Sequence, residues 1–177
     1  MEAKAEGMAH GSEPRFCPSC RGGLTPRRLK PAEPERLVCL ECGSVLFLDP
    51  KVAACTICPL DGGVVLVRRS IEPGYGKWVI PGGHVDRGEE VAAAAVRETL
   101  EEASLTVAIR ELLNVYSYPG NPVVVVVFVA QVLGGRLRAG EEALEARIFP
   151  LSDLPWGEMA FPSTVEALRE YVRRFST

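Results

Sequence analysis

Three glutamates in the middle of the chain have the type and spacing of a metal-binding set. Glu98, Glu101 and Glu102 stand at positions i, i+3 and i+4, so on a helix their carboxylates project from one face. Three like charges on one stripe repel one another, and a divalent cation such as magnesium offsets that repulsion. A solvated acidic face is the alternative, because most charge runs lie in solvent. The segment Pro81-Gly82-Gly83 allows close approach of the backbone to a ligand, which together with Arg97 favours phosphate chemistry.

Four cysteines near the N-terminus have the spacing of a zinc site. They form two C-x2-C pairs, Cys17/Cys20 and Cys39/Cys42, with 18 residues between the pairs. Neighbouring glycine and proline residues favour tight turns that direct the sulfurs at one ion. Disulfides or unligated thiols are the alternatives, and disulfides need an export route for which the first residues offer no signal. The sequence therefore predicts a structural zinc ion bound by four thiolates.

A third C-x2-C pair, Cys55 and Cys58, lies in an apolar, strand-like segment. Side chains three residues apart on a strand point to opposite faces, so we expect two small core residues rather than a second zinc site. Pro59 permits a turn at this point, which leaves redox or metal chemistry as the alternative.

The glutamates belong to a longer pattern that resembles the Nudix box, Gly-x5-Glu-x7-Arg-Glu-U-x-Glu-Glu-x-Gly-U, where U is a bulky aliphatic residue. Seven positions match at the required spacing: Gly83, Glu89, Arg97, Glu98, Glu101, Glu102 and Leu105. Two positions depart from it: Thr99 stands at an aliphatic packing position, and Ser104 replaces the glycine that ends the helix. A zinc ribbon followed by such a domain resembles the Nudix subgroup that includes NADH, ADP-ribose and FAD pyrophosphatases.

This resemblance implies an α/β fold, a Nudix α/β/α sandwich with a mixed sheet, preceded by a small β zinc ribbon. We expect a mobile tail over residues 1–14, the ribbon over 15–48 and the Nudix domain over 49–177. The implied activity is magnesium- or manganese-dependent hydrolysis of the pyrophosphate bond in a nucleoside diphosphate linked to X, such as ADP-ribose, FAD or NADH. A non-catalytic nucleotide sensor and an RNA-end processing enzyme are the alternatives, and the intact glutamate set favours the hydrolase.

The resemblance also implies roles for individual residues. The magnesium or manganese ligands are Glu98, Glu101 and Glu102, with the carbonyl of Gly82 completing the site. Glu89 supports this set through water or through Arg97, which orients the carboxylates and offsets part of their charge. A general base is expected on a loop, where Glu141, Glu142 and Glu145 are the candidates and a solvated acidic loop is the alternative.

Recognition of the substrate is expected to involve Arg68, Arg69, Gly82, Gly83 and Tyr116. The two arginines alternate on a strand, so one of them reaches a phosphate and the other lies at the surface. The Tyr116 ring is a candidate for stacking on adenine or flavin, with core packing as the alternative. The chain lacks the Ser-Gln-Pro-Trp-Pro-Phe-Pro signature of NADH pyrophosphatases, which weighs against NADH.

The sequence predicts alternating strands and helices, which position these residues. An Asp61-Gly62-Gly63 turn is expected to join two strands, and Asp86 with Glu89 resembles a capping box at the start of the first helix. We expect strands at 52–57, 64–67, 77–80, 112–116, 123–132 and 147–149, and helices at 89–103 and 163–175.

Composition excludes several classes of protein. The chain has 177 residues, 47% hydrophobic and 24% charged, with a net charge of −3, which suits a globular protein and argues against a general polyanion binder. Its longest apolar run has eight residues, whereas a membrane-spanning helix needs about 20. The first 50 residues carry seven basic and seven acidic side chains, which argues against nucleic-acid binding. We expect a cytoplasmic protein that acts on a small-molecule nucleotide, and a homodimer is left open.

Overall fold

The computed structural model of the chain describes residues 14–175. The predicted tail therefore lies outside the described residues, except for Pro14. The chain divides into two compact units between Asp49 and Pro50.

The first unit contains a three-stranded antiparallel sheet. Its strands are β1 (Leu24–Arg27), β2 (Arg36–Cys39) and β3 (Val45–Leu46), in the spatial order β1-β2-β3. Leu24, which follows the Cys17/Cys20 pair along the chain, lies opposite Cys39 across β1 and β2. The sheet therefore holds the Cys17/Cys20 pair close to the Cys39/Cys42 pair. The short strands agree with a ribbon.

The second unit contains eight strands and two α-helices among the described residues. In chain order they are β4 (Lys51–Ile57), β5 (Pro59–Leu60), β6 (Gly63–Arg69), β7 (Trp78–Val79), β8 (Gly82–His84), α1 (Val91–Ala103), β9 (Leu105–Tyr116), β10 (Val123–Gly135), β11 (Ala143–Pro150) and α2 (Pro162–Phe175). Two short 3₁₀ helices, Leu151–Asp153 and Trp156–Glu158, lie between β11 and α2.

These strands form two sheets. The first has the order β8-β4-β10-β9 and is mixed, because β10 runs parallel to β4 while the other neighbours are antiparallel. The second has the order β11-β6-β5 and is antiparallel, with β7 paired to β6. The mixed sheet and the two helices confirm the predicted α/β fold class.

Strand β4 shows how the mixed sheet is covered on both faces. Ala54 is fully buried against Ala94 and Ala95 of α1, and these small side chains let the helix lie close to the sheet. Ile57 points to the opposite face, into a cluster that includes Leu168 of α2. The helices therefore lie on opposite sides of β4, because successive side chains of a strand alternate between its faces.

The thiols of Cys55 and Cys58 follow the same alternation. Cys55 packs against the cluster completed by α2, whereas Cys58 belongs to the cluster that contains Ala103 and Leu105. The two cysteines thus point apart, as strand geometry predicts.

Several elements differ from the sequence prediction, and three of these differences have a physical cause in the structure. Helix α1 begins at Val91 rather than Glu89, because the Glu89 carboxylate instead accepts a hydrogen bond from the Asp86 N–H at 3.0 Å outside the helix. The expected hairpin exists, but its first strand is β5, because the chain changes sheets between Ile57 and Pro59. Strand β9 begins seven residues earlier than expected, at Leu105. Three register shifts between β9 and β10 interrupt the alternation of buried and exposed residues along β9. The sequence of β9 therefore lacks the period-two pattern by which a long strand is predicted.

Candidate active site and zinc site

Helix α1 is tied to the mixed sheet by a buried chain of hydroxyl groups. Thr99 Oγ1 donates to the Ala95 carbonyl at 2.7 Å, and Thr56 Oγ1 lies 2.6 Å from Thr99 Oγ1. A carbonyl cannot donate, so the single Thr99 proton goes to Ala95 and the Thr56 hydroxyl must donate to Thr99. The Cys58 Sγ, 3.2 Å from Thr56 Oγ1, is then the donor to Thr56, and burial raises the pKa of Cys58 to about 11, which keeps it a thiol. Thr99 therefore departs from the aliphatic pattern because it has a hydroxyl partner on β4.

The other departure from the box, Ser104, adopts a left-handed conformation that glycine usually occupies. Its φ and ψ are 57° and 32°, in the left-handed region, and its N–H donates to the Leu100 carbonyl at 2.9 Å. The helix consequently ends with a left-handed cap even though the residue is serine.

Arg97 connects three of the predicted acidic residues. Its Nε and Nη2 donate to both carboxylate oxygens of Glu89, at 2.8 and 2.9 Å. Its Nη1 donates to Glu98 Oε1 at 2.7 Å and to Glu101 Oε2 at 3.1 Å, and Nη2 also donates to the His84 carbonyl at 3.1 Å. These hydrogen bonds lower the pKa of Glu89 to about 2. Arg97 thus fixes the orientation of the carboxylates around it.

Glu102 is hydrogen-bonded to the glycine segment rather than to Arg97. The Gly82 N–H donates to Glu102 Oε2 at 2.9 Å, and burial raises the pKa of Glu102 to about 7. Burial also raises the pKa of Glu98, although the hydrogen bond from Arg97 opposes that shift. A Cβ on Gly83 would lie 2.5 Å from the Glu98 carboxyl carbon, so a side chain at this position would displace the Glu98 carboxylate.

The three glutamates share one face of α1, but their oxygens are not drawn to a single point. Within residues 14–175, the four cysteines are the only metal-binding type of cluster whose ligand atoms all lie within 4.8 Å of one another. Arg97 draws Glu98 and Glu101 towards its guanidinium, while Gly82 holds Glu102. The side chains of the set are therefore divided between two partners.

Of the three predicted base candidates, Glu141, Glu142 and Glu145, only the charge of Glu142 is among those that act on both Glu98 and Glu102. Burial is the main cause that raises the pKa of Glu98 and of Glu102, and the negative charge of Glu142 is a smaller cause in both. Glu145 lies on β11 and forms an ion pair with Arg147 at 3.6 Å. The structure thus brings Glu142, and not Glu145, to the glutamate set.

The two arginines of β6 point to different places. Arg68 donates from Nε to the Gly76 carbonyl at 2.8 Å, and its guanidinium lies 6.0 Å from the Trp78 ring. Arg69 donates from Nε to the Pro73 carbonyl at 2.8 Å and stacks 5.1 Å from the Phe161 ring. The positive charge of Arg69 is also among the influences that lower the pKa of Glu102, so Arg69 is the arginine on the side of the glutamates.

Tyr116 lies in the core. Its ring is only 7% exposed, and its hydroxyl donates to Glu170 Oε2 of α2 at 2.9 Å. This location gives no support to the predicted contact with a nucleobase, because a buried ring cannot present a face to a ligand.

The four cysteines of the first unit have the geometry of a zinc site. Cys17 Sγ lies 3.8 Å from Cys42 Sγ, and Cys20 Sγ lies 3.4 Å from Cys39 Sγ. Four sulfurs each about 2.3 Å from a tetrahedral zinc ion would be about 3.8 Å apart, so the residues fit the ion. A hydrogen bond with Ser44 lowers the pKa of Cys42 to about 6, whereas hydrogen bonds with the neighbouring cysteines raise the pKa of Cys20 to about 12.

Both C-x2-C turns share one backbone pattern. The Arg21 N–H donates to the Cys17 carbonyl at 2.8 Å, and the Gly43 N–H donates to the Cys39 carbonyl at 3.2 Å. Arg21 and Gly43 have φ values of 65° and 72°, so each turn ends in a left-handed residue. The sequence favoured glycine for these turns, but in the first turn arginine occupies the left-handed position.

Comparison with known proteins places this site in a family. The NUDIX domain profile matches residues 48–175, and the zinc-ribbon profile described as Nudix N-terminal matches residues 15–47. An ADP-ribose pyrophosphatase from Methanocaldococcus jannaschii is 39% identical over 132 residues, which cover 72% of this chain and 76% of that protein. The chain belongs to the Nudix hydrolase family, which confirms the resemblance seen in the sequence.

Solved structures agree with this assignment. A NUDIX hydrolase from Nitrosomonas europaea has a TM-score of 0.85 and 34% identity, and the match covers 92% of both chains. An ADP-ribose pyrophosphatase from Streptococcus suis has a TM-score of 0.58 and 25% identity, covering 70% of this chain and 92% of that one. Neither helix of the part described here is long and apolar enough to cross a membrane.

Sequence reasoning missed Thr56 and Gly140, two residues that form hydrogen bonds with α1. Thr56 reaches Thr99 from 43 positions away, and the departure of Thr99 from the box was the available signal. Gly140 lies against the end of α1, where its N–H donates to the Glu102 carbonyl at 3.0 Å. No local pattern marks it, because its partner belongs to a distant element.

Proposed function

We propose that this chain hydrolyses the pyrophosphate bond of a nucleoside diphosphate linked to X, with magnesium or manganese as the catalytic ion and ADP-ribose as the first candidate substrate. The observation that carries the proposal is the set of Glu98, Glu101 and Glu102 arranged around Arg97 and Gly82 on one helix face. The ADP-ribose pyrophosphatase from Methanocaldococcus jannaschii supports the choice of substrate.

The chemistry of the donor set fits a hard divalent ion. Carboxylate oxygens are the ligands that magnesium and manganese prefer, and burial raises the pKa of both Glu98 and Glu102. A buried carboxylate, Glu102, beside the partly buried carboxylate of Glu98 is costly without a positive partner, which a divalent cation provides. Glu98, Glu101, Glu102 and the Gly82 carbonyl are the groups proposed to hold it. When bound, such an ion neutralises pyrophosphate oxygens and acidifies a water molecule.

The other groups of the site orient these carboxylates and prepare the attack. Arg97 holds Glu98 and Glu101 by hydrogen bonds and is itself fixed by the bidentate contact with Glu89. This arrangement restrains the carboxylates before the substrate arrives, which reduces the reorganisation needed during reaction. Glu142 is the proposed general base, since it lies near Glu98 and Glu102 and a carboxylate there can accept a proton from the attacking water.

Arg69 is the proposed phosphate contact. Its Nε is occupied by the Pro73 carbonyl and its guanidinium face by Phe161, so both restrain the side chain. The positive charge of Arg69 acts on Glu102, and its terminal nitrogens can donate to an anionic oxygen. Arg68 instead fixes the loop before β7 through Gly76, and Gly82 and Gly83 form the wall next to the carboxylates.

Replacement of Glu101 tests the catalytic proposal. Glu101 is more than half exposed and contacts Arg97 in a single hydrogen bond, so Glu101→Gln should abolish ADP-ribose hydrolysis with little change in melting temperature. Glu111→Gln, at an exposed position of β9, is the matched control and should retain full turnover. Full turnover of Glu101→Gln would contradict the role assigned to the set.

A substrate panel tests the identity of X. ADP-ribose, NADH, FAD, diadenosine polyphosphates and nucleoside triphosphates are incubated with magnesium or manganese, and products are identified by mass. In ¹⁸O-labelled water, the label shows which phosphorus is attacked. We expect AMP and ribose 5-phosphate from ADP-ribose; tight nucleotide binding without any turnover would favour a sensor instead. Dimerisation and a cytoplasmic location stay predictions.

A further inference from the structure

The segment between β10 and β11 is docked on the end of helix α1. The Arg138 N–H donates to the Ala103 carbonyl at 3.1 Å, and the Gly140 N–H donates to the Glu102 carbonyl at 3.0 Å. The last carbonyls of a helix have no partner within the helix, so this segment satisfies two of them. The docking thus couples the helix that carries the glutamate set to the loop that carries Glu142.

Gly140 makes this contact possible. A Cβ at this position would lie 1.8 Å from the Glu101 carbonyl oxygen and 3.3 Å from the Glu102 Cα. Its φ is not in the left-handed region, so a side chain is excluded by the close approach of two backbones and not by backbone conformation. Gly157, in a 3₁₀ helix, has no atom within 4 Å of its hypothetical Cβ and provides a matched control.

The turn that follows fixes the position of Glu142. The Ala143 N–H donates to the Gly140 carbonyl at 3.3 Å, and the Ser70 N–H donates to the Glu142 carbonyl at 3.2 Å. Glu142 is therefore held between the end of α1 and the end of β6, on the side where its charge acts on Glu102. A displacement of Gly140 by a bulky contact moves this turn outward and carries Glu142 with it.

We propose that Gly140 is a positioning residue for the hydrolytic reaction, which acts through Glu142 by holding it at the distance set by the contact with α1. This inference rests on the proposed function. Relief of a 1.8 Å contact requires a shift of more than 1 Å, and misplacement of about 1 Å in a catalytic group costs about 100-fold in rate.

A double-mutant cycle tests the inference in the full chain. Gly140→Ala should lower kcat for ADP-ribose by about 100-fold with KM changed less than threefold, whereas Gly157→Ala should match the parent. In a Glu142→Gln background, Gly140→Ala should lower kcat by less than threefold further, because the group it positions is already absent. Multiplicative losses would overturn the inference, and so would parental kcat in Gly140→Ala.

A manganese titration distinguishes an effect of Gly140→Ala through Glu142 from damage to helix α1. Titration monitored by electron paramagnetic resonance should give Gly140→Ala a manganese Kd within threefold of the parent, because the glutamates of α1 are unchanged; a tenfold weaker Kd would overturn the route through Glu142. If Gly140→Ala does not fold, Glu142→Asp withdraws the carboxylate by one methylene without changing the contact, and should lower kcat at least tenfold. Parental kcat in Glu142→Asp would overturn the proposal. Absence of turnover in the parent would instead refute the proposed function.

Discussion

The hydrogen bond between Thr56 of β4 and Thr99 of α1 predicts unequal losses of stability when each threonine is replaced by the isosteric valine. In Thr99→Val, the Thr56 hydroxyl loses its acceptor, and its only remaining partner is the weakly bonding sulfur of Cys58. Both threonines are fully buried, so water cannot replace the lost partner. An unsatisfied buried donor costs about 1–3 kcal/mol, which we expect as the loss in unfolding free energy.

The reverse substitution should cost less. In Thr56→Val, Thr99 still donates to the Ala95 carbonyl and loses only the bond it accepts, so we expect a loss of about 0.5–1 kcal/mol. The double variant removes donor and acceptor together and should be no less stable than Thr99→Val alone. The two effects are therefore non-additive by at least about 0.5–1 kcal/mol, as expected for groups in direct contact.

Urea unfolding followed by tryptophan fluorescence measures these differences. Trp78 and Trp156 are the two tryptophans of the chain and both lie in the second unit, so the signal reports the unit that contains the threonines. Thr106→Val, at an exposed position of β9, is the control for the change of side chain itself. Additive losses, or a Thr99→Val variant as stable as the parent, would refute the assigned direction of the hydrogen bonds.

Two further predictions concern Arg97 and zinc. Arg97→Lys cannot reproduce the bidentate contact with Glu89, so we expect a lower urea midpoint than that of the parent at pH 7. The pKa of Glu89 is about 2 when folded and 4.5 in its ordinary state, so this stabilisation is complete above pH 4.5 and is lost as the pH falls towards 2. The difference from the parent should shrink over that interval, and a difference that grows on acidification would contradict the assignment. The purified chain should contain about one zinc ion by elemental mass spectrometry, and Cys39→Ser should lose it and accelerate hydrogen exchange in residues 15–48 without shifting the tryptophan unfolding midpoint. Full zinc content in Cys39→Ser would rule out the four-thiolate site.

The sequence was sufficient for features whose partners lie close together along the chain. The spacing of Glu98, Glu101 and Glu102 placed them on one helix face, because the periodicity of a helix is a local property. The C-x2-C pairs predicted a cysteine cluster for the same reason, since each pair needs only one tight turn. The alternation of side chains along β4 and the residue that follows it likewise directs Cys55 and Cys58 to different clusters.

Only the tertiary structure decided how these features are joined. The choice between Arg68 and Arg69, the placement of Glu142 beside the glutamates and the burial of Tyr116 depend on which sheet face and which loop meet α1. Thr56 and Gly140 contact the helix across 43 and 38 or more residues of sequence, and such contacts form only when distant segments pack together. Local periodicity specifies the direction of a side chain relative to its own element, whereas the neighbour it meets is specified by packing of the whole domain.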